Sequence, residues 1–257
     1  MTVTHNAGVA TETGIIRMDA GKSDIAQLKK LVRSGSRIFN EQFEEESHLD
    51  RIIPKPWGYE YRAYVDDFFD LWSLRIDAPH GTSVHVHPRK LTYLLCLGGQ
   101  GVTSGLRRED IRIGAGSILR IAPGAFHGTR NAGDEPLELI EVEVPRNKFD
   151  LIRLQDDYNR VGTAYESESV EQPQNAMRVV RSFPNARMRR QSPDRRFRFE
   201  LRTGTDIFYR RRKEDLFHIP LCVSGVVESD VEILTGRPAE IQRPQTERQY
   251  LSVSRNL

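Results

Sequence analysis

The chain has 257 residues, of which 38% are hydrophobic and 29% are charged, as in a soluble globular protein with one large domain or two small ones. Its 38 Lys and Arg against 36 Asp and Glu give a net charge of +2, which argues against a protein that mainly coats nucleic acid or a membrane surface. Two cysteines, Cys96 and Cys222, are too few for a disulfide scaffold or a cysteine-based zinc cluster.

Targeting and membrane segments are not indicated. No apolar run approaches the length of about 18 residues that a membrane-spanning helix needs. The stretch from Met1 to Gly14 is small and polar, without the charged start and apolar stretch of a signal peptide. We therefore expect a cytoplasmic protein.

The N-terminal region is predicted to be a leader followed by helices. Residues 1–22 are rich in Thr, Ala and Gly, which favours disorder. Ser23 is placed to cap a helix that should end at Gly35, and a second helical stretch is expected around residues 38–43. Residues 23–53 are therefore predicted to be a helical extension. Its first helix has one apolar face, formed by Ile25, Leu28 and Val32.

From Pro54 onward the pattern changes to short apolar runs separated by Gly, Pro and Asp at intervals of about ten residues. These runs are Tyr59–Val65, Phe69–Ile76, Leu91–Leu97, Ser117–Ile121 and Leu137–Val144. This spacing predicts an antiparallel β-sandwich or barrel. The motifs G-x-G-x-x-G, G-x-x-x-x-G-K-[ST] and G-x-S-x-G are missing from the sequence, so a dinucleotide fold, a P-loop and an α/β-hydrolase lose their main support.

The remainder is predicted to be a polar linker over residues 161–176 and a β-rich region over 177–257, which either extends the preceding sheets or forms a degenerate second barrel. Its apolar runs are Phe197–Leu201, Ile207–Tyr209, Phe217–Val227, Val231–Leu234 and Tyr250–Val253. Eight arginines lie between Arg178 and Arg198. A nucleic acid or a phosphate ligand would suit them, but a solvated or ion-paired charged face is favoured because the whole chain is nearly neutral.

Two blocks of sequence carry the histidines that point to chemistry. His85 and His87 flank one residue, so on a strand both imidazoles project to the same side. Gly81 precedes this pair. The second block runs from Pro123 to His127 and is followed by Asn131. An H-x-H pair alone is a weak indication of a metal site, and the second block strengthens it.

Together these blocks resemble the two conserved blocks of the cupin superfamily. The resemblance implies an all-β fold, a cupin jelly-roll β-barrel at about residues 54–160, and a homodimer. The glutamate ligand of the cupin pattern would fall at Leu91 or Thr92, and neither is a carboxylate. What remains is a candidate metal triad, His85, His87 and His127.

Three neutral imidazoles suit one divalent transition metal such as Zn, Fe, Mn or Ni, and they leave positions open for water or substrate. The alternative is a barrel that binds its ligand without a metal.

Other segments narrow the resemblance to the cupin domain of type II mannose-6-phosphate isomerases. They are the opening segment Lys55–Glu60, Ile140–Glu143, Asp150–Leu154 and Asp156–Arg160. This resemblance implies a metal-dependent isomerase or epimerase that acts on a sugar phosphate or a related polyol. The expected partner is therefore a small molecule, a phosphorylated sugar, with neither a membrane nor nucleic acid involved.

An aldose–ketose isomerase must polarise a carbonyl and move a proton between adjacent carbons. The candidate catalytic residues are Glu141, which the resemblance favours over Glu143, and Lys90, for which a solvated strand end is the alternative. If Leu139 faces the core, both glutamates do so too. If Val142 faces the core, both glutamates are solvated.

The candidate substrate-binding residues are Arg153, Arg160 and Thr92. A guanidinium fits a phosphate in a bidentate manner. The alternative for both arginines is an ion pair with one of three nearby aspartates, namely Asp150, Asp156 and Asp157.

Two other functions stay open at this stage. One is a non-haem iron dioxygenase with three histidine ligands, and the other is a non-catalytic sugar-binding or regulatory cupin.

Overall fold

The computed structural model describes residues 15–35, 51–65, 70–145, 150–161, 170–171, 189–192, 194–220, 234–235 and 248–256. Within these ranges the chain is dominated by β-strands, which confirms the predicted all-β class. The helices are α1 (Lys22–Arg33) and α2 (Gly204–Tyr209).

The strands of the N-terminal two-thirds are β1 (Ile15–Met18), β2 (Arg51–Lys55), β3 (Gly58–Val65), β4 (Asp70–Ile76), β5 (Val84–Val86), β6 (Leu91–Gly98), β7 (Gln100–Gly105), β8 (Ile111–Gly114), β9 (Ile118–Ile121), β10 (His127–Asn131), β11 (Leu137–Val144) and β12 (Ile152–Gln155). The remaining strands are β13 (Val170–Glu171), β14 (Arg189–Gln191), β15 (Phe197–Thr203), β16 (Asp215–Pro220), β17 (Leu234–Thr235) and β18 (Gln249–Arg255). Strand β11 coincides with the predicted run, and β3, β4, β6 and β9 lie within one residue of theirs at each end.

Two sheets form the jelly roll. An eight-stranded sheet has the order β1-β9-β6-β11-β4-β3-β2-β13, and a five-stranded sheet has the order β12-β5-β10-β7-β8. One apolar cluster joins Ile113 of β8 to Trp72 of β4, Leu94 of β6 and Leu139 of β11. The two sheets therefore face each other across a buried interior, and strand alternation decides which side chains enter it.

The C-terminal region forms a third layer. Its five strands have the order β14-β15-β18-β16-β17. Phe199 and Phe217 of this sheet lie in one cluster with Tyr93, Leu95 and Val142, which project from the other face of the eight-stranded sheet. In the part of the chain that is described, strands β14 to β18 form a sheet of their own and do not lengthen the jelly-roll sheets, in contrast to one of the two predicted arrangements. They cover an apolar face that the jelly roll would otherwise expose.

The predicted disordered leader is too long at its C-terminal end. Ile15–Met18 form β1, which pairs in parallel with β9, and Met18 is buried in the interior cluster. Burial of these apolar side chains offsets the entropy cost of ordering the segment. Residues 1–14, the second helical stretch at 38–43 and most of the arginine-rich run lie outside the described residues.

Helix α1 is present as predicted, but it turns a different side to the protein. Ile25 and Val32 are exposed, whereas Leu28 and Leu31 pack against Phe126. Asp24 decides this orientation, because its buried carboxylate accepts hydrogen bonds from the Gly21 and Phe126 backbone N–H groups at 2.8 and 3.0 Å.

The run Ile207–Tyr209, predicted as a strand, is helical. It belongs to α2, where the Thr203 hydroxyl accepts a hydrogen bond from the Asp206 backbone N–H at 3.1 Å. An N-cap of this kind satisfies one of the otherwise unpaired amides of a first helical turn. Three apolar residues in a row cannot distinguish one helical turn from a short strand.

Neither helix in the described ranges has the length and apolar character needed to cross a bilayer.

Cys96 is a free thiol in the interior, and burial raises its pKa to about 12, so it behaves as a small core side chain.

His218 of β16 gives the C-terminal sheet a predictable response to acid. Its ring is buried, and its Nδ1 lies 2.8 Å from the Ser252 hydroxyl oxygen. Burial lowers the pKa of His218 to about 4, against an opposing effect of Asp215, whose carboxylate lies 3.8 Å from Nε2. As the pH falls, the unfolded chain therefore binds a proton at His218 before the folded chain does. The stability that the neutral, buried His218 ring contributes is complete above pH 6.5 and is lost as the pH falls towards 4.

We therefore expect the stability advantage of the wild type over His218→Asn to shrink between pH 7.5 and pH 4.5. The change should be at most about 3 kcal/mol, since one pKa unit corresponds to about 1.4 kcal/mol. Parallel urea unfolding of both proteins at several pH values measures it, and titrating groups that do not interact with His218 cancel in the comparison. A stability difference that stays constant across this range would contradict the prediction.

Candidate metal centre

The three predicted histidines meet where β5 pairs with β10. His85 of β5 lies directly opposite His127 of β10 in the antiparallel register, and His87 follows β5. The ring centroids of His85 and His127 are 4.4 Å apart, and those of His87 lie 4.9 and 5.4 Å from them. All three are buried, and one ring nitrogen from each lies within 4.8 Å of the others.

The backbone fixes how each ring is presented. Nδ1 of His85 lies 2.8 Å from the Ser83 carbonyl oxygen, that of His87 lies 2.7 Å from the Asp150 carbonyl oxygen, and that of His127 lies 3.0 Å from the Ala125 carbonyl oxygen. A carbonyl oxygen can only accept, so the hydrogen is assigned to Nδ1 and the lone pair to Nε2. Ring orientation by such a partner is the usual support of metal-ligating histidines.

Burial also keeps these histidines neutral. The pKa of His85 is lowered well below its ordinary value, first by burial and then by His127. The pKa of His87 is lowered by burial and by Lys90, and burial lowers that of His127 to about 4. Neutral imidazole is the form that binds a metal ion.

The donor set fits the metal that the sequence predicts. Among the described residues, Nε2 of His87 and Nε2 of His127 have no hydrogen-bond partner, although both are buried. A buried polar atom without a partner is costly, and three converging imidazole nitrogens are ligands that a divalent transition metal accepts. His85, His87 and His127 are therefore able to hold one such ion.

Both glutamates of β11 face the same interior. Glu141 and Glu143 are 7% and 0% exposed, and they lie on the side of β11 that carries Leu139. The opposite side, with Val142, is covered by the C-terminal sheet. The alternative in which both glutamates are solvated is therefore wrong, because both faces of β11 are buried.

Lys90 is an interior residue, so a solvated strand end is wrong for it as well. It is 1% exposed, and its Nζ lies 2.5 Å from Oε1 of Glu143. The turn before β6 is held by Asp150, whose carboxylate accepts hydrogen bonds from the backbone N–H groups of Arg89 and Lys90 at 2.8 and 3.1 Å. The ammonium group is thus fixed beside the histidine triad.

A cavity of about 480 Å³, its mouth included, opens beside His85 and His87. Glu141, Glu143, Arg153 and Arg160 are among its lining residues, so predicted catalytic, binding and metal residues share one space.

The predicted binding residues differ in their positions. Arg160 lines the cavity and also makes an ion pair with Asp156 at 2.6 Å, so the ion-pair alternative holds for it. Arg153 of β12 lies opposite His85 of β5 in the backbone register of the two strands. Thr92 is buried opposite Glu143 in the β6–β11 register and is not among the described lining residues, so its position does not favour direct contact with substrate.

Sequence reasoning assigned no role to one wall of the cavity, which contains Lys55, Trp57 and Glu60. Lys55 Nζ lies 3.6 Å from Oε1 of Glu60. Gly58 makes the turn possible: its φ is +141°, and a Cβ there would lie 2.1 Å from the Arg75 carbonyl oxygen. The opening segment had carried the family resemblance, but only the fold shows that it lines the site.

Comparison with known proteins supports the resemblance to the cupin superfamily. Residues 74–143 match the family described as "Cupin domain". The chain is 24% identical over 155 residues to mannose-1-phosphate guanylyltransferase ManC of Salmonella typhimurium (strain LT2), a match that covers 60% of this chain and 31% of that protein. Mannose-1-phosphate guanylyltransferase of Escherichia coli (strain K12) is 24% identical over 156 residues, with the same shares.

Among solved structures, a Lactobacillus farciminis oxalate decarboxylase in a formate complex is similar, with 20% identity, a TM-score of 0.37, and coverage of 40% of this chain and 33% of that one. The matches to the curated relatives span less than one third of their length.

Proposed function

We propose, on the premise that residues 74–143 form a cupin domain, that this protein is a metal-dependent isomerase or epimerase of a sugar phosphate or a related polyol. One observation carries the proposal. A single cavity collects imidazoles held neutral, two interior carboxylates and several cationic side chains. Such an arrangement supplies the electrophile and the proton carriers that transfer between adjacent carbons requires.

The histidines and Glu141 would have different roles in this reaction. His85, His87 and His127 would hold the metal, which supplies Lewis-acid polarisation of the substrate carbonyl. The Glu141 carboxylate takes the proton from the carbon next to the carbonyl and returns it to the former carbonyl carbon. The hydroxyl proton passes to the carbonyl oxygen in the same conversion, so atoms and charge balance.

The cationic wall supports a phosphorylated substrate. Lys55, Arg153 and Arg160 all line the cavity, and guanidinium groups bind phosphate oxygens in pairs. The two curated relatives are named for mannose 1-phosphate, which supports the same class of substrate. Their match covers under a third of their length, so guanylyl transfer is not part of the proposal.

The test is solvent deuterium exchange. A panel of aldose and ketose phosphates is incubated with metal-loaded protein in D2O and followed by NMR. Wild type should introduce deuterium at the carbon next to the carbonyl of one substrate. Glu141→Gln should slow this exchange by about 100-fold or more, the usual effect of removing a general base.

The matched control is Glu138→Gln, which changes the same strand on its other face, where Glu138 Oε1 lies 3.2 Å from Arg75. It should exchange at close to the wild-type rate, and both variants should keep their metal. Exchange with none of the sugar phosphates would contradict the proposal.

A second candidate is a non-haem iron dioxygenase, and the specific observation in its favour is the three-imidazole donor set. Iron as the resident metal together with substrate-dependent oxygen uptake would select it. Binding of a sugar phosphate without exchange and without oxygen uptake would select a sugar-binding or regulatory cupin.

A further inference from the structure

We propose that helix α1 positions the metal-binding histidines from behind, with Asp24 as its positioning residue, so that docking of α1 and binding of the metal strengthen each other. This inference rests on the proposed metal site. It gives the N-terminal segment, residues 15–33, a part in the function of the jelly roll. The residues of this segment are not among the described lining residues of the cavity, so they act through other groups.

The first observation is the buried carboxylate of Asp24 in the first turn of α1. Asp24 is 0% exposed, and its Oδ1 accepts a hydrogen bond from the Phe126 backbone N–H at 3.0 Å. Its Oδ2 accepts hydrogen bonds from the Gly21 backbone N–H at 2.8 Å and from the Arg108 guanidinium. A carboxylate with donors on both oxygens is fixed in place, so it holds the Phe126 amide in one position.

The second observation is that this amide belongs to the peptide group that orients a histidine ring. The Phe126 N–H and the Ala125 carbonyl are the two ends of one planar peptide group. The Ala125 oxygen lies 3.0 Å from Nδ1 of His127. Asp24 and His127 therefore bind opposite ends of the same rigid unit, and a shift of Asp24 would rotate the partner that sets the direction of Nε2.

The third observation is the apolar packing behind both histidine blocks. Val86 lies between the two histidines of the first block, and in an extended segment its side chain projects to the opposite side from theirs. Val86 and Phe126 are 0% exposed and belong to one apolar cluster, against which Leu28 and Leu31 of α1 pack. The helix therefore covers the back of the segments whose front carries the imidazoles.

The loop between β9 and β10 joins these contacts. The Ala122 backbone N–H donates to the Met18 carbonyl at 2.9 Å, and the Gly124 backbone N–H donates to the His87 carbonyl at 2.8 Å. The loop thus contacts the N-terminal segment through Met18 and Asp24, and it contacts the first histidine block between these two points. Because the loop leads directly into β10, release of α1 would loosen the spacing of the ligands.

The coupling between α1 and the metal has to act in both directions. If docked α1 raises the affinity for the metal by a given factor, the bound metal must raise the docking equilibrium of α1 by the same factor. A helix that only contributed to overall stability would not give this paired response.

The experiment measures binding of Co²⁺ to metal-free, full-length protein by chelator competition. We expect Asp24→Ala to weaken binding by about tenfold or more, since partners that orient metal ligands contribute about 10–100-fold to metal affinity. Leu31→Ala should also weaken binding, although it leaves the Asp24 carboxylate in place. The matched control is the next residue of the same helix. Val32 is 49% exposed, and Val32→Ala should bind Co²⁺ as the wild type does.

A second control separates positioning from a general loss of stability. Phe199 lies in the cluster between the C-terminal sheet and the jelly roll, which is not the cluster that α1 packs against. Phe199→Ala should lower stability and keep the wild-type affinity for Co²⁺ at a temperature where the variant is folded. Equal losses of affinity in Phe199→Ala and Asp24→Ala would overturn the inference.

Hydrogen exchange of the wild type tests the coupling without any substitution, and it does so even where Asp24→Ala fails to fold. Saturating Co²⁺ should slow exchange of the amides in the second half of α1 by about tenfold or more, as reciprocity requires. The amides of α2 should exchange at an unchanged rate. Exchange in α1 that Co²⁺ leaves unaltered would overturn the inference.

The outcomes separate this inference from the metal site on which it rests. Binding that is lost in His127→Ala but unchanged in both Asp24→Ala and Leu31→Ala would overturn the role of α1 and leave the three-histidine site intact. Wild-type protein that binds no Co²⁺ would overturn both.

Discussion

His127→Ala and His85→Ala are each expected to reduce the metal content of purified, tag-free protein from about one ion per chain to background. Each variant removes one of three converging nitrogens, and the remaining pair offers too few ligands to retain the ion through purification. Elemental mass spectrometry measures the content. A second readout is thermal unfolding, because a metal that binds only the folded state raises the Tm of wild type but not of the variants.

The control is His80→Ala. His80 is exposed just before the first histidine block, and its Nδ1 lies 3.3 Å from the Tyr158 hydroxyl. It should retain wild-type metal content. The metal-free His127→Ala protein should stay folded, with a loss of about 2 kcal/mol for the truncated buried ring. Wild-type metal content in both triad variants would show that these histidines are not the ligands.

Phe199→Ala is expected to destabilise the protein by about 3–5 kcal/mol, the usual cost of truncating a buried phenylalanine. Phe199 is 0% exposed and lies in the cluster that joins the C-terminal sheet to the jelly roll. Its loss opens a cavity between two layers and leaves their apolar faces in poorer contact. Equilibrium urea unfolding measures the change.

Phe208→Ala is the matched control in the same region. Phe208 is 44% exposed, and its ring contacts the neighbouring Tyr209. The same substitution there should cost less than about 1 kcal/mol, in line with other exposed sites. Equal effects of the two variants would show that the C-terminal sheet does not stabilise the jelly roll in solution.

Several features of the chain follow from local sequence alone. Alternation and turn residues located the main strands of the jelly roll, since these strands are regular and bounded by Gly, Pro or Asp. The spacing of His85 and His87 placed two imidazoles on one side of the chain, and the second block supplied His127. These predictions depend on contacts between residues that are close in sequence or on a recurring pattern.

Local sequence was insufficient where two structures satisfy the same short pattern. Ile207–Tyr209 is long enough for a strand or for one helical turn, and the Thr203 cap decided for the helix. The apolar residues of α1 permit more than one buried side, and the bond between Asp24 and Phe126, 102 positions apart, selected one.

Strand β11 shows most clearly what the sequence determined and what the tertiary structure decided. Sequence alternation established that Glu141 and Glu143 share one face and that Ile140 and Val142 share the other. It could not say which face is interior, because that depends on the partner of each face. Phe199 and Phe217, which lie more than 50 residues further along the chain, bury the apolar face.

The carboxylates of Glu141 and Glu143 therefore line the cavity. The sequence thus determined which residue types carry the chemistry, while long-range packing decided which of them meet, because burial is a property of the assembled layers and not of the strand itself.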